Sequence, residues 1–138
     1  MESFTIFMNF DGNCREVVEF YGKVFKVAPG SLQTYGEMPP TPGFDIPEAL
    51  ANKIMYADLK IAGTNIMFSD IPPDTDYAAG TNIVLTIGST DDAEIRRWFG
   101  ELKEGGEVIS PLGETFFSKL YGMLVDKFGI CWNIILND

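Results

Sequence analysis

Few side chains in this sequence offer chemistry to a small molecule, and those that do recur in strand-like stretches. Tyr56 and Asp58 lie two residues apart, so an extended strand carries both on one face. A carboxylate in a mostly apolar recess has its pKa raised and can act as acid or base, and a phenol beside it can donate to a developing oxyanion. Asn82 and Asn133, on the corresponding faces of two other strand-like stretches, would add amide hydrogen-bonding groups. Cys131 has no base or helix N-terminus nearby in sequence to favour its thiolate, so packing is its expected role. There is no His anywhere in the chain, which removes the commonest ligand for zinc, nickel or iron and the commonest general base near neutral pH. Catalysis without a metal would rest on Asp58 and Tyr56. The plainer assignment stands beside it: a solvated rim charge at Asp58 and a space-filling Tyr56 bonded to an Asn.

The elements that must position these residues come in two copies, offset by roughly eighty residues. In the first, a strand over residues 4–10 leads to Asn13 and a helix carrying Val17, Phe20, Tyr21 and Val24 at the i, i+3, i+4, i+7 spacing of a buried stripe. In the second, a strand over 81–87 leads to Asp91 and a helix with Ile95, Trp98, Phe99 and Leu102, stopped by Gly105 and Gly106. Asn13 with Glu16, and Asp91 with Glu94, resemble capping boxes. Residues 31–37 read as a strand, and 54–61 with 64–69 as a hairpin about Ala62 and Gly63. The last strands are expected over 107–110, 121–125 and 130–136. Alternation sends Met55, Ala57, Leu59 and Ile61, then Ile83, Leu85 and Ile87, then Trp132, Ile134 and Leu136 toward the helices. The opposite faces are apolar with interspersed Tyr, Asp, Asn and Thr, the composition of a small-molecule pocket. The proline-rich loop 38–47, with Pro39, Pro40, Pro42 and Pro47, reads as a lid, a dimer arm or a plain surface connection.

At 138 residues the chain fits a single domain, expected as a first module over 1–70, a linker over 71–80 and a second module over 81–138. Its 20 Asp and Glu outnumber 10 Lys and Arg, for a net charge of -10. Nucleic acid is not an expected partner, because a phosphate backbone needs a basic stripe. Diffuse acidity serves solubility and can steer a cationic ligand. Residues 1–10 have no basic region ahead of an apolar stretch and no run reaches membrane-spanning length, so neither a signal peptide nor a membrane partner is expected. Two cysteines, Cys14 and Cys131, fit unpaired thiols in a cytoplasmic protein.

Asn9-Phe10-Asp11-Gly12-Asn13-Cys14, Glu19-Phe20-Tyr21, Val24-Phe25, Ala57-Asp58-Leu59-Lys60-Ile61, Gly122-Met123, Asp126-Lys127-Phe128-Gly129 and Trp132 resemble the PhnB-like branch of the vicinal oxygen chelate superfamily. That superfamily includes glyoxalase I, extradiol dioxygenases, and fosfomycin and bleomycin resistance proteins. The resemblance implies an α+β fold of two paired βαβββ modules forming a cupped mixed sheet, commonly as a homodimer. Its enzymes hold a divalent metal with His, Gln or Glu, at positions that fall here on Asn82, on Phe4 or Ile6, on Asn133 and on Met67. Asn offers one neutral carbonyl oxygen and the others offer a hard cation nothing, so no metal is expected. Relatives often show a His where this chain has Tyr56, and a Trp-Gly pair where it has Phe117-Ser118. No glycine-rich cofactor loop supports ubiquinone methyl transfer, and no cofactor is expected.

Three functions of different class follow. One is a small-molecule binding or sequestering protein of the bleomycin resistance kind, without the usual metal centre, taking a cationic or mixed polar and apolar ligand at Tyr56, Asp58, Asn82 and Asn133. Another is a metal-independent lyase or isomerase using Asp58 and Tyr56. The third is a ligand-free interaction module.

Overall fold

Helix α1 (Cys14–Phe25) buries Val17, Val18, Tyr21 and Val24. The stripe thus takes in Val18, while Phe20, expected within it, stays half-buried with its ring 5.9 Å from that of Tyr21. The computed structural model that shows this describes residues 2–39, 42–43, 45–73 and 75–138. Pro40 of the proline-rich loop and Asp74 of the linker lie outside the described residues, as do Met1, Thr41 and Phe44.

The chain forms two compact units, Met1–Tyr77 and Ala78–Asp138. In the first, β1 (Ile6–Phe10), α1, β2 (Leu32–Thr34), a short helix α2 (Glu48–Ala51), β3 (Ile54–Ile61) and β4 (Thr64–Asp70) follow in order. The strands lie β1-β4-β3-β2 across the sheet, with β1 parallel to β4 and the other pairs antiparallel. The second unit runs β5 (Val84–Ser89), α3 (Asp92–Leu102), β6 (Glu107–Gly113), β7 (Tyr121–Val125) and β8 (Cys131–Leu136). Its order, β5-β8-β7-β6, again pairs the first strand in parallel with the last. The fold is α+β: two four-stranded mixed sheets, each a βαβββ unit.

The start of the first helix differs from expectation, and that of the second does so only at Glu94. Asn13 makes no side-chain cap bond to α1. The job falls to Asp70 at the end of β4, whose buried carboxylate accepts the Cys14 N–H at 2.9 Å and the Ile54 N–H at 2.9 Å. Asp91 does cap α3, accepting from the Ala93 N–H at 3.0 Å. Its own N–H, though, donates to Ser89 Oγ rather than Glu94, which pairs with Arg97.

The helix-facing strip is buried at Ala57, Leu59, Ile61, Ile87, Trp132 and Ile134. Four strands depart from the expected bounds. β1 begins at Ile6, leaving Phe4 almost fully exposed, and β5 begins at Val84, so Ile83 is 73% exposed rather than packed on a helix. β2 stops at Thr34, where Glu37 folds back to accept from the Thr34 N–H and hydroxyl and closes a turn of 3-10 helix over Tyr35–Glu37. β6 extends past the expected residue 110 to Gly113, as an edge strand that tolerates Pro111.

Candidate functional site

In the first unit Tyr56 and Asp58 share the face turned away from α1, both half-buried. Asp58 Oδ1 accepts the Ser31 N–H at 2.9 Å and Oδ2 accepts the Tyr56 O–H at 3.0 Å, while the Asp58 N–H donates to the Ser31 carbonyl at 3.2 Å. This carboxylate therefore clamps the chain entering β2 onto β3. A Cβ at Gly30 would stand 2.7 Å from Asp58 Oδ1, so the clamp needs glycine there. Burial, then the bond to Asp58 and its charge, push the Tyr56 phenol above its ordinary value. Tyr56 is a neutral donor to Asp58, not a phenolate.

Across the same sheet, Asp58 pairs with Met67 and Met67 with Phe7. In the second unit Met123 pairs with Asn133, and Asn133 with Thr86. Met67 and Asn133 each lie four residues beyond a positive-φ turn glycine, Gly63 and Gly129. The two rows therefore correspond, with Asn133 in the place of Met67 and Thr86 in the place of Phe7. Two residues further back on the hairpin, Tyr121 takes the place of Tyr56.

Tyr121 is the functional candidate that sequence reasoning missed. Its O–H donates to Asn133 Oδ1 at 2.8 Å, and Asn133 Nδ2 reaches Thr86 Oγ1 at 3.5 Å. The face is set by Gly122, where a Cβ would stand 2.6 Å from the Phe99 ring of α3, so the neighbouring Tyr121 and Met123 look away from that helix. Aligning the two copies on their turn glycines would have found it.

Asn82 lies exposed ahead of β5, four residues before Thr86, and the structure does not bring it to Asn133. Cys131 is buried in β8. Two carboxylates that the sequence did not single out for chemistry are structural. Besides Asp70, Asp126 is buried and accepts from the Phe128 and Ile130 N–H groups and from Trp132 Nε1 at 2.9 Å, which locks the β7–β8 turn.

The positions where the superfamily's enzymes carry metal ligands do not fit such an ion. Of these positions Asn82 lies exposed ahead of β5, Phe4 lies exposed ahead of β1 and Ile6 begins that strand, while Asn133 and Met67 stand beside Thr86 and Phe7; only Asn82, Asn133 and Thr86 carry a side-chain oxygen donor, each neutral. Among the described residues no group of three or more His, Cys, Asp or Glu could hold a metal ion. A methyl-donor cofactor finds no cradle in the turn from β1 to α1, Asp11-Gly12-Asn13, which has a single glycine. Among the described residues no helix is long and apolar enough to cross a membrane.

Two βαβββ units, each a four-stranded mixed sheet with one long helix against it, define a protein of the glyoxalase and bleomycin resistance type of fold. Within that class, the chain belongs to the family described as 3-demethylubiquinone-9 3-methyltransferase, whose model matches residues 2–135. It is 29% identical over 137 residues to protein YjdN of Escherichia coli K12, covering 93% of this chain and 90% of that protein. The crystal structure of protein PA1353 from Pseudomonas aeruginosa is similar at a TM-score of 0.83 and 30% identity, over 96% of this chain and 97% of that one. The PhnB protein from Bacillus cereus is similar at a TM-score of 0.77 and 25% identity, over 99% and 100%. The fosfomycin resistance protein FosX from Mesorhizobium loti shares the fold alone, with a TM-score of 0.64 and 8% identity over 99% and 92%.

Proposed function

We propose that this protein binds a small molecule on the helix-free faces of its sheets, without the metal centre of its enzyme relatives. One observation carries the reading: at corresponding positions each sheet carries a tyrosine whose hydroxyl donates to a polar side chain of the same face, Tyr56 to Asp58 beside Met67 and Phe7 in the first unit, and Tyr121 to Asn133 beside Met123 and Ile135 in the second. Oriented polar groups in an apolar surround are what ligand sites use for direction. Asn82, exposed ahead of β5 and not brought to Asn133, enters the proposal only as an outlying contact. The net charge of -10 favours cationic or neutral ligands over anions. The test is a thermal-shift screen of a chemically diverse library on chelator-treated protein. A binder gains stability with ligand concentration by mass action, and an Asn133→Leu variant should weaken the hits without loss of fold. A library that stabilises nothing would favour a ligand-free interaction module.

A metal-independent lyase or isomerase is the second reading, favoured by the Tyr56 to Asp58 hydrogen bond. Proton NMR of each screen hit after incubation decides: conversion by the native protein but not by Asp58→Asn would make it an enzyme.

We also propose a cytoplasmic homodimer, in keeping with the buried free thiols Cys14 and Cys131 and with edge strands that a two-fold contact can cover. Light scattering at micromolar concentration should give twice the 15.3 kDa chain mass. A single-chain mass would refute the dimer.

A further inference from the structure

The geometry of the second unit points to a specific ligand class: an uncharged, flat aromatic molecule bearing a carbonyl, to which Asn133 donates while Phe117 packs on the ring. This rests on the binding reading above and narrows it.

Tyr121 donates to Asn133 Oδ1, so the carboxamide oxygen is engaged and the amide's donor end is aimed toward Thr86. The bond to Thr86 Oγ1 is long at 3.5 Å. Nδ2 carries two N–H groups and one acceptor at that distance, which leaves donor capacity for a ligand oxygen. Met123 and Ile135, half-buried beside it, supply apolar walls in which such a bond gains strength.

Next to Tyr121, which bonds this amide, the chain presents uncovered aromatic surface on a locked turn. Phe117 meets Tyr121 edge-to-face with ring centres 5.0 Å apart and Phe116 likewise at 5.1 Å, yet remains 51% exposed, and Phe116 is wholly exposed. The turn is not loose. The Thr115 N–H donates to the Ser118 carbonyl and the Ser118 N–H to Thr115 Oγ1, while the buried Ser118 hydroxyl donates to the Leu136 carbonyl at 2.8 Å and accepts from the Leu120 N–H. Phe117, held on a braced turn in ring contact with the tyrosine that orients the amide and flanked by Phe116, forms with Asn133 a preorganised stacking and donor pair.

Charge sets the last condition. Thr86, Asn133, Tyr121, Met123 and Ile135 are all uncharged. The nearby Glu114 and Lys119 are exposed and of opposite sign, so an anion finds no dedicated partner and meets a net charge of -10. Tyr121 is a positioning residue, and Asn133 and Phe117 are the contacts.

The test is a heteronuclear NMR titration with 2-naphthamide, with naphthalene and 2-naphthoate as controls. The expected result is movement of the Asn133 side-chain signals and of residues 117–121, with 2-naphthamide binding about tenfold more tightly than either control. Phe117→Ala, at an exposed site where folding is safe, and Asn133→Leu should each weaken it about five- to tenfold. Tyr121→Phe should weaken 2-naphthamide and leave naphthalene unchanged, a split that loss of packing alone would not give. Shifts confined to β3, affinity unchanged in Phe117→Ala, or a change of oligomeric mass in that variant in place of affinity would each overturn the proposal while leaving the binding function standing. Absence of 2-naphthamide binding alongside library hits overturns it in the same way, whereas a library that stabilises nothing removes the binding function itself.

Discussion

Asp70 and Asp58 are both carboxylates on strands of one sheet, and their surroundings give them different weights. Asp70 is buried to 1% exposure and holds two backbone N–H groups, one starting α1 and one starting β3. Asp70→Asn keeps the shape but puts an N–H₂ where one of two donors needs an acceptor, and should destabilise the fold by about 2–3 kcal/mol in urea unfolding. Asp58→Asn, at a half-buried site, should lose less; equal losses would mean that the Asp70 clamp is not special. Cys14 stands beside Asp70, and burial first, then the Asp70 charge, push its thiol from an ordinary 9.0 up to about 12. Between those values the unfolded thiol ionises while the folded one keeps its proton, so the unfolded chain binds fewer protons. This contribution is complete below pH 9.0 and is lost as pH rises toward about 12. Stability lost between about pH 8 and about pH 10 should be roughly 1 kcal/mol greater for the native chain than for Cys14→Ala. Equal losses would exclude Cys14 as the source.

At the scale of elements, the sequence is readable where the signal is local. The apolar stripe of α3 and the β3–β4 hairpin follow from spacing and from Gly63, whose φ of 84° suits a tight turn. Asp91 was equally readable as a cap. The start of α1 was not, since its first N–H is satisfied by Asp70, 56 residues away, and no local pattern carries that information. Asp91→Ala should therefore cost about 1 kcal/mol and Asn13→Ala close to nothing in the same unfolding assay. A comparable loss at Asn13 would show that its side chain caps after all. The strand starts failed for a related reason: residues 4–5 and 81–83 have strand-like composition but no ladder partner, and pairing, not propensity, decides where a strand begins. Tyr56 and Asp58 could be placed on the open face by alternation alone, but the clamp to Ser31 needs the register of β2 against β3. Tyr121 needed the same register knowledge between β7 and β8.

For the whole molecule, duplication is the organising fact, and it bears on metal. The resemblance sets metal ligands at corresponding strand positions of the two copies. In this chain the corresponding pair is Met67 and Asn133, flanked by Phe7 and Thr86. A thioether, a phenyl ring, a neutral amide and a hydroxyl do not compete with water for a hard divalent ion, and the chain has no His to recruit a softer one. Its 20 carboxylates attract cations diffusely at the surface, an attraction that physiological salt screens within about 8 Å. Chelator treatment should therefore leave the melting temperature unchanged, and adding zinc, nickel or manganese after dialysis should not raise it, because an ion that binds the native state alone must stabilise it by mass action. Elemental analysis of the purified protein should find less than one such metal per chain. One tightly held ion per chain, with a melting temperature that falls on its removal, would overturn the metal-free reading and require ligands other than the four positions named.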